Sequence, residues 1–167
     1  QATAPQGPSA IHKLQAEQEV STLLPDTAVG LRLTWMYDDP ASPLRAGRHL
    51  LTQLAEARQT GQPLHLAVHD HRGLTDVWDV VRQLENCFSL PAGIYNFGCP
   101  NHLNAYKTVW QAVAQNWGET EARRLVLPAE APFAPQGRNL LMDPGKAAAH
   151  GIHFDNTLQA LIQHLKP

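Results

Sequence analysis

The chain has 167 residues, of which 43% are hydrophobic and 17% charged, and its 13 Lys and Arg stand against 15 Asp and Glu. A chain of about 150 residues buries roughly 70% of its unfolded surface, so a core of its own is expected. The formal charge of −2 argues against a partner bound by phosphate neutralisation, and no apolar run approaches the roughly 20 residues of a membrane span. We therefore expect neither a nucleic-acid partner nor a membrane partner.

The first half of the chain alternates between helical and extended patterns. Residues 1–8 are rich in Pro, Gly and Ala without periodicity, which predicts an irregular tail ahead of one unit over 9–167. Apolar residues at every second position from 29 to 37 predict a single strand with one apolar face. The elements predicted here are a helix over 9–24, that strand, a loop over 38–43, a helix over 46–60 that ends at Gly61, and a strand over 64–68.

The second half adds amphipathic helices. Thr75 is typical of a helix N-cap, and the buried side of that third helix is predicted to consist of Val77, Val80, Val81, Leu84 and Phe88. The remaining predicted elements are a strand over 93–97, a helix capped by Asn104 with an aromatic stripe in the core, an apolar segment over 138–142, a short helix that begins with Asp143 as N-cap and Pro144, and a last helix through 158–165. Few strands and about six helices in alternation predict an α/β fold.

Two cysteines, Cys87 and Cys99, cannot form a disulfide framework. They fit a reducing compartment, where each is expected to be a small buried hydrophobe, and we predict a cytoplasmic localisation.

Three histidines close in sequence raise the question of a metal. His65, His69 and His71 would face one side of a continuous strand, and Asp70 lies between the last two. Zinc could accept such a set, whereas the alternative is a polar strand face in a chain rich in histidine. No cysteine or distant acid completes a site by its spacing, so we predict no metal site. The sequence also lacks a phosphate-binding loop and a Gly-x-Gly-x-x-Gly turn.

Five segments carry a resemblance to a known family. In order they are Ser9-Ala-Ile-His-Lys13-Leu-Gln-Ala-Glu17, Leu31-Arg-Leu-Thr-Trp-Met-Tyr37, Asp70 through Thr75 with Asp79, Gly93-Ile-Tyr-Asn-Phe97, and Arg138-Asn-Leu-Leu-Met-Asp143 with Lys146. Together they resemble the C-terminal portion of dTDP-4-dehydrorhamnose reductase and its sugar-nucleotide reductase relatives, in the extended short-chain dehydrogenase superfamily. The resemblance spans nearly all of residues 9–165. It implies a Rossmann-type α/β fold whose N-terminal dinucleotide-binding half is missing, so that 9–167 is the substrate-binding portion with the last Rossmann helix and strand.

The resemblance also implies a reaction and its residues. In this family a hydride passes from NADP or NAD to a keto group of a nucleotide-linked hexose, and a tyrosine supplies the proton. Lys13 matches the lysine that holds the nicotinamide ribose, and Thr34 and Trp35 match the strand that contacts nicotinamide or sugar. Trp35 could instead be a core residue. Arg138 resembles a late contact to the substrate, with an ordinary surface arginine as the alternative.

The sequence departs from the family where the tyrosine should be, because Ser9 occupies that position. An alkyl hydroxyl is a far weaker acid than a phenol, whose pKa is about 10, so Ser9 should not replace it as proton donor. We therefore expect the chain alone to be inactive. Because the family's nucleotide-binding half is missing from the resemblance, we also expect it to bind no cofactor. The alternative is a non-catalytic binding or regulatory protein on the same scaffold, as in the regulatory subunit of methionine adenosyltransferase.

The missing half has a consequence for association. The strand over 29–37 would lose its neighbours in a parallel sheet, and an open edge invites pairing with another chain. We predict a homodimer or an aggregate through this edge, and a nucleotide sugar as the ligand.

Overall fold

Seven α-helices and eight short strands alternate in the part of the chain that the computed structural model describes, residues 7–39 and 49–165. The helices are α1 (Pro8–Leu23), α2 (Leu50–Thr60), α3 (Val77–Leu84), α4 (Ala105–Trp117), α5 (Glu119–Leu125), α6 (Gly145–Ala148) and α7 (Thr157–His164), and a 3-10 helix covers Glu85–Ser89. The strands are β1 (Val29–Leu33), β2 (Trp35–Tyr37), β3 (Leu64–Ala67), β4 (Asp70–Arg72), β5 (Leu74–Asp76), β6 (Gly93–Phe97), β7 (Val126–Ala129) and β8 (Arg138–Leu140). The α/β fold is confirmed.

The strands form four parallel pairs, and each pair is joined by a crossover. β1 pairs with β6, β2 with β5, β3 with β7, and β4 with β8. Parallel neighbours need a long connection, and in each case at least one helix lies between the two strands. Segments far apart in sequence therefore meet at the ends of these strands.

The predicted strand over 29–37 is divided at Thr34. Its first part pairs with β6 and its second part with β5, so the chain changes partner at that residue. The predicted apolar face is not uniform either, because Tyr37 is 2% exposed while Trp35 is 65% exposed. The interpretation of Trp35 as a core residue is wrong.

The third helix begins one residue later than predicted and buries less. Thr75 lies inside β5, and Asp76 is the N-cap, whose side chain accepts a hydrogen bond from the Trp78 amide. Within the helix only Val80 is buried. Val81 and Leu84 are more than 40% exposed and Phe88, in the following 3-10 helix, is 91% exposed, so the predicted buried face is wrong at those three positions.

Other boundaries differ in smaller ways. α2 begins at Leu50, with His49 as N-cap, and the predicted residues 46–48 lie outside the described part of the chain. Sequence reasoning missed α5 and β7, which follow a turn at Gly118 with φ of 90°. The N-cap of α6 is Pro144 and not Asp143, although the Asp143 carboxylate accepts a hydrogen bond from the Gly145 amide at 2.8 Å.

The core consists of two clusters. The larger one joins α2, α4, α5 and α7 to β7, and α4 contributes Val109 and Val113 to it. Tyr106, Trp110 and Trp117 pack against this cluster, which confirms the aromatic stripe of the fourth helix as core. The smaller cluster lies around β6 and α6, and its members include Tyr95, Phe97, Ala147, Ile152 and Cys87.

Among the described helices, none combines the length and the apolar character that a membrane span requires.

Candidate functional site

A buried carboxylate lies between two guanidinium groups where β4 meets β8. Asp70 and Arg138 are register partners, and Arg138 donates Nε to Oδ1 at 3.0 Å and Nη2 to Oδ2 at 3.1 Å. Arg72 forms a second ion pair with the same carboxylate, with Nε 2.7 Å from Oδ2. Two cations share one anion, so this Arg–Asp–Arg cluster has a formal charge of +1.

Arg72 is the more unusual member of the cluster. It is 4% exposed, and its Nη1 and Nη2 are buried without a hydrogen-bond partner among the described residues. Burial lowers the pKa of this guanidinium, while the neighbouring Asp70 opposes that shift. An arginine remains charged in proteins, and a buried unpaired donor costs roughly 1–3 kcal/mol, more for a charged group. A ligand with hydrogen-bond acceptors at Nη1 and Nη2 of Arg72 would therefore be favoured.

An aromatic ring lies over each guanidinium. Arg72 lies 3.7 Å from the centroid of the Trp35 ring, and Arg138 lies 3.6 Å from that of Phe133. Such cation–π contacts partly compensate a guanidinium for lost water. Trp35 separates Arg72 from solvent while keeping most of its own surface exposed.

A cleft of about 560 Å³ opens beside Trp35, between the end of β2 and the start of α3. Its walls are mostly apolar, with an aspartate and a histidine among them, which is typical of small-molecule sites. The lining residues are Trp35, Met36, Tyr37, Asp38, His49, Val77, Trp78 and Val81.

Thr34, predicted to contact a cofactor, lies in a chain of hydrogen bonds between strands. The Thr75 hydroxyl accepts from the Cys99 amide at 2.8 Å and lies 2.5 Å from the Thr34 hydroxyl, which donates to the Trp35 carbonyl at 3.3 Å. A side chain at Gly98 would lie within 2.8 Å of both hydroxyls. The structure thus gives Thr34 the role of a link between β2, β5 and the residues that follow β6.

Ser9 and Lys13 lie one turn apart on α1, and both are exposed. The helix is fixed to β1 by Arg32, whose Nε donates to Glu17 at 2.8 Å. Neither Ser9 nor Lys13 lines the cleft that the described residues form beside Trp35. The structure therefore does not place these two predicted residues in the cleft that Trp35 lines.

The three histidines do not form a ligand set. His65 lies on β3, His69 in the turn after it and His71 on β4, and these strands pair with different partners. The expectation that they face one side of a single strand is wrong, because the chain turns at residues 68 and 69.

Sequence reasoning missed Arg72 as a site residue. The available signal was the alternation of Asp70 and Arg72, which places both side chains on the same face of a strand. The contact between Asp70 and Arg138 joins residues 68 positions apart, and no local pattern contains it.

Comparison with solved structures identifies the fold. The chain superposes on dTDP-4-dehydrorhamnose reductase from Clostridium acetobutylicum with a TM-score of 0.69 and 17% identity, over 99% of this chain and 57% of that one. It superposes on UDP-N-acetylglucosamine 4-epimerase from Methanobrevibacter ruminantium M1, solved with UDP-N-acetylmuramic acid, with a TM-score of 0.68 and 13% identity over 96% and 54% of the two chains. It superposes on dTDP-glucose 4,6-dehydratase from Bacillus anthracis, solved with NAD, with a TM-score of 0.68 and 16% identity, over 98% of this chain and 53% of that one.

These likenesses establish a fold shared with part of the sugar-nucleotide epimerases, dehydratases and reductases. The chain spans about half the length of each of these three proteins. No protein-family model matches the sequence, and the search of curated proteins finds no significant match.

Proposed function

We propose that this chain is the substrate-binding portion of an NAD(P)H-dependent reductase that acts on a nucleotide-linked ketosugar, of the dTDP-4-dehydrorhamnose reductase type. The observation that supports it best is the Arg–Asp–Arg cluster, with two unpartnered guanidinium nitrogens next to an exposed tryptophan. Planar guanidinium groups match the oxygens of phosphates, and aromatic faces stack on bases and sugars. A nucleoside diphosphate linked to a hexose offers both kinds of group.

In this proposal each residue of the cluster has a part. Arg138, whose side chain is one-third exposed, reaches the diphosphate first. Arg72 supplies its free Nη1 and Nη2 once Trp35 moves from above it to stack on the base or the sugar. Asp70 holds both guanidinium groups in place before the ligand arrives.

The cofactor side of the reaction depends on residues outside this chain. Its own residues do not fit a complete dinucleotide site, because no glycine-rich turn occurs in the sequence and the Thr34 hydroxyl is already hydrogen-bonded. Lys13 is the remaining candidate to hold the ribose of NADP or NAD, with Ser9 at the position of the family's proton donor. We expect no cofactor binding by the chain alone.

A non-catalytic binding or regulatory role on the same scaffold is the second candidate. Ser9 supports it, because a serine hydroxyl at that position is a poor proton donor. The Arg–Asp–Arg cluster could then bind a nucleotide sugar as a regulator.

The binding step is tested by calorimetry of this chain with dTDP-glucose and with UDP-glucose. We expect one of them to bind, and Arg138→Gln to weaken the binding about 10-fold or more, since a hydrogen bond to a charged group contributes about 1.5–3 kcal/mol. Arg123→Gln is the matched control, because that arginine is exposed and pairs only with Glu119 in the described contacts. No binding of either ligand, or equal binding by Arg138→Gln, would contradict the proposal.

The choice between the two roles needs a chain that includes a nucleotide-binding half. Ketosugar reduction that rises in Ser9→Tyr supports the reductase. Absence of reduction in both forms, together with nucleotide-sugar binding and a partner that co-purifies, supports the regulatory role.

A further inference from the structure

A second cluster of polar side chains lies where β5 passes into α3, next to the end of α7. Asp76, Asp79 and His164 each place one metal-binding atom within 4.8 Å of the others, and Asp76 Oδ2 is 3.5 Å from His164 Nδ1. Among the described residues this is the one set of three such groups that converges. His164 lies far in sequence from the two aspartates, so no spacing motif predicts this cluster.

The carboxylates of this cluster have unused acceptor capacity. Asp76 is buried, and its Oδ1 accepts from the Trp78 amide at 2.6 Å to cap α3, which leaves Oδ2 directed toward His164. Asp79 is paired with Arg82, whose side chain is largely exposed. Arg82 thus pairs with only one of the two carboxylates, and because its side chain is already largely exposed it can turn to solvent without losing burial.

An unpartnered hydroxyl adds an independent indication. Tyr37 is the register partner of Asp76, its ring meets His164 edge-on at 5.7 Å, and its hydroxyl is buried with no hydrogen-bond partner among the described residues. Buried hydroxyls in native proteins almost always have a partner. A water held on a cation between the carboxylates would supply it.

We propose that Asp76, Asp79 and His164 bind a divalent cation of the zinc class, with the Tyr37 hydroxyl hydrogen-bonded to a water on that cation. Imidazole nitrogen with carboxylate oxygen suits zinc and its transition-metal neighbours, whereas magnesium and calcium prefer oxygen alone. Metal–ligand bonds of about 2.0–2.2 Å in a tetrahedral site put ligand atoms about 3.3–3.6 Å apart, and Asp76 Oδ2 and His164 Nδ1 are 3.5 Å apart. His164 and Asp79 are both partly exposed, which gives the ion a path to the site.

Such a cation would connect the end of α7 to the β5–α3 junction, which forms one wall of the cleft beside Trp35. Its role is therefore to hold that wall in place. The site is separate from the Arg–Asp–Arg cluster, and its occupation does not depend on the proposed nucleotide sugar.

The test uses the 167-residue chain after treatment with a chelator. Zinc binding is measured by calorimetry and by the shift in melting temperature, and Co²⁺ is added as a spectroscopic probe whose visible absorption reports the ligand atoms. We expect one equivalent of zinc to bind, to raise the melting temperature, and to be removed by EDTA. Asp79→Asn and His164→Gln should each weaken it at least about 10-fold and change the Co²⁺ spectrum, and Tyr37→Phe should weaken it about 10-fold while leaving the first coordination sphere, and so most of the spectrum, in place.

Two variants serve as matched controls. Arg82→Gln removes the ion pair of Asp79 but no metal ligand, and zinc should bind it at least as tightly as the original chain. His153→Gln removes an exposed histidine outside the cluster and should change nothing. Absence of zinc binding overturns the proposal, and so does binding that Asp79→Asn and His164→Gln leave unchanged, since the ion would then lie on other histidines. If His164→Gln does not fold, the comparison of zinc affinity between Asp79→Asn and Arg82→Gln is sufficient to test the proposal.

Discussion

Asp70 is the residue on which the proposed site depends most. Its carboxylate is buried and neutralises one of two guanidinium groups, each held by direct contact. Buried ion pairs contribute little net stability when complete, but removing one partner leaves an uncompensated charge.

We predict that Asp70→Asn lowers the free energy of unfolding by about 3 kcal/mol, because it leaves Arg72 buried without an anion. Urea denaturation followed by circular dichroism measures the change. Glu119→Gln, which breaks an exposed pair with Arg123, is the control and should cost less than about 1 kcal/mol. A loss in Asp70→Asn no larger than the control would show that Arg72 finds another partner.

The buried thiol of Cys99 should make the stability of the folded chain depend on pH in the alkaline range. Burial, opposed by the hydrogen bond with Thr75 and supported by nearby carboxylates, raises the pKa of this thiol from 9.0 to about 11. The folded state therefore disfavours the thiolate. Its contribution to stability is complete below pH 9 and is lost as the pH rises toward 11, because the unfolded thiol ionises first.

The unfolding free energy should fall by about 2 kcal/mol more in the original chain than in Cys99→Ala between these two pH values, at about 1.36 kcal/mol per pKa unit. Both proteins retain Tyr37 and Cys87, whose pKa values are also raised, so the difference isolates Cys99. Parallel pH profiles for the two proteins would disprove the assignment.

At the scale of elements, α2 and α3 differ in how they use their apolar residues. α2 buries Leu51, Leu54 and Ala57 in the larger core cluster. α3 buries Val80 and leaves its other large apolar side chains at or near the surface, and Phe88 after it is almost fully exposed.

A matched pair of truncations measures this difference. Leu54→Ala should destabilise the chain by about 2–5 kcal/mol, because it removes a fully buried side chain and leaves a cavity. Phe88→Ala removes a larger side chain from the surface and should stay within about 0.5 kcal/mol. The two destabilisations are measured by thermal unfolding of both variants and the original chain. Equal losses of stability would mean that Phe88 is covered in solution.

The sequence predicts elements well where the signal is local. The end of α2 at Gly61, with φ of 74°, and the start of α4 at Asn104 follow from residues within one turn. The division at Thr34 does not, since it depends on which strand lies alongside. The same limit applies to the site, where Arg138 was predicted as a ligand contact while its partners Asp70 and Arg72 were not identified as site residues.

At the scale of the whole molecule, β1 is one of the strands that present an unpaired edge among the described residues. Within the described residues it pairs only with β6, and Leu33, Trp35 and Met36 near its end are exposed. An unpaired edge with apolar side chains is a template for another strand. This geometry supports the predicted self-association, which remains a prediction.

We expect light scattering to show a molar mass that rises with protein concentration. Leu33→Lys should shift the chain toward the monomer, because a lysine on an edge strand opposes pairing. Val20→Lys, at an exposed position of α1, is the control and should have no such effect. A monomer at all concentrations in the original chain would contradict the edge as an interface.

The crossover between every pair of strands has a consequence for the time at which the parts assemble. Helices such as α4 need only neighbours in sequence, and they form within about a microsecond in isolated peptides. Each strand pair must first close a long loop, and folding slows as contacts become less local. During synthesis β4 stays without its partner until Arg138 has been added, so the two guanidinium groups meet around Asp70 only after most of the chain has been made. A chain interrupted before residue 138 would therefore lack the Arg–Asp–Arg cluster.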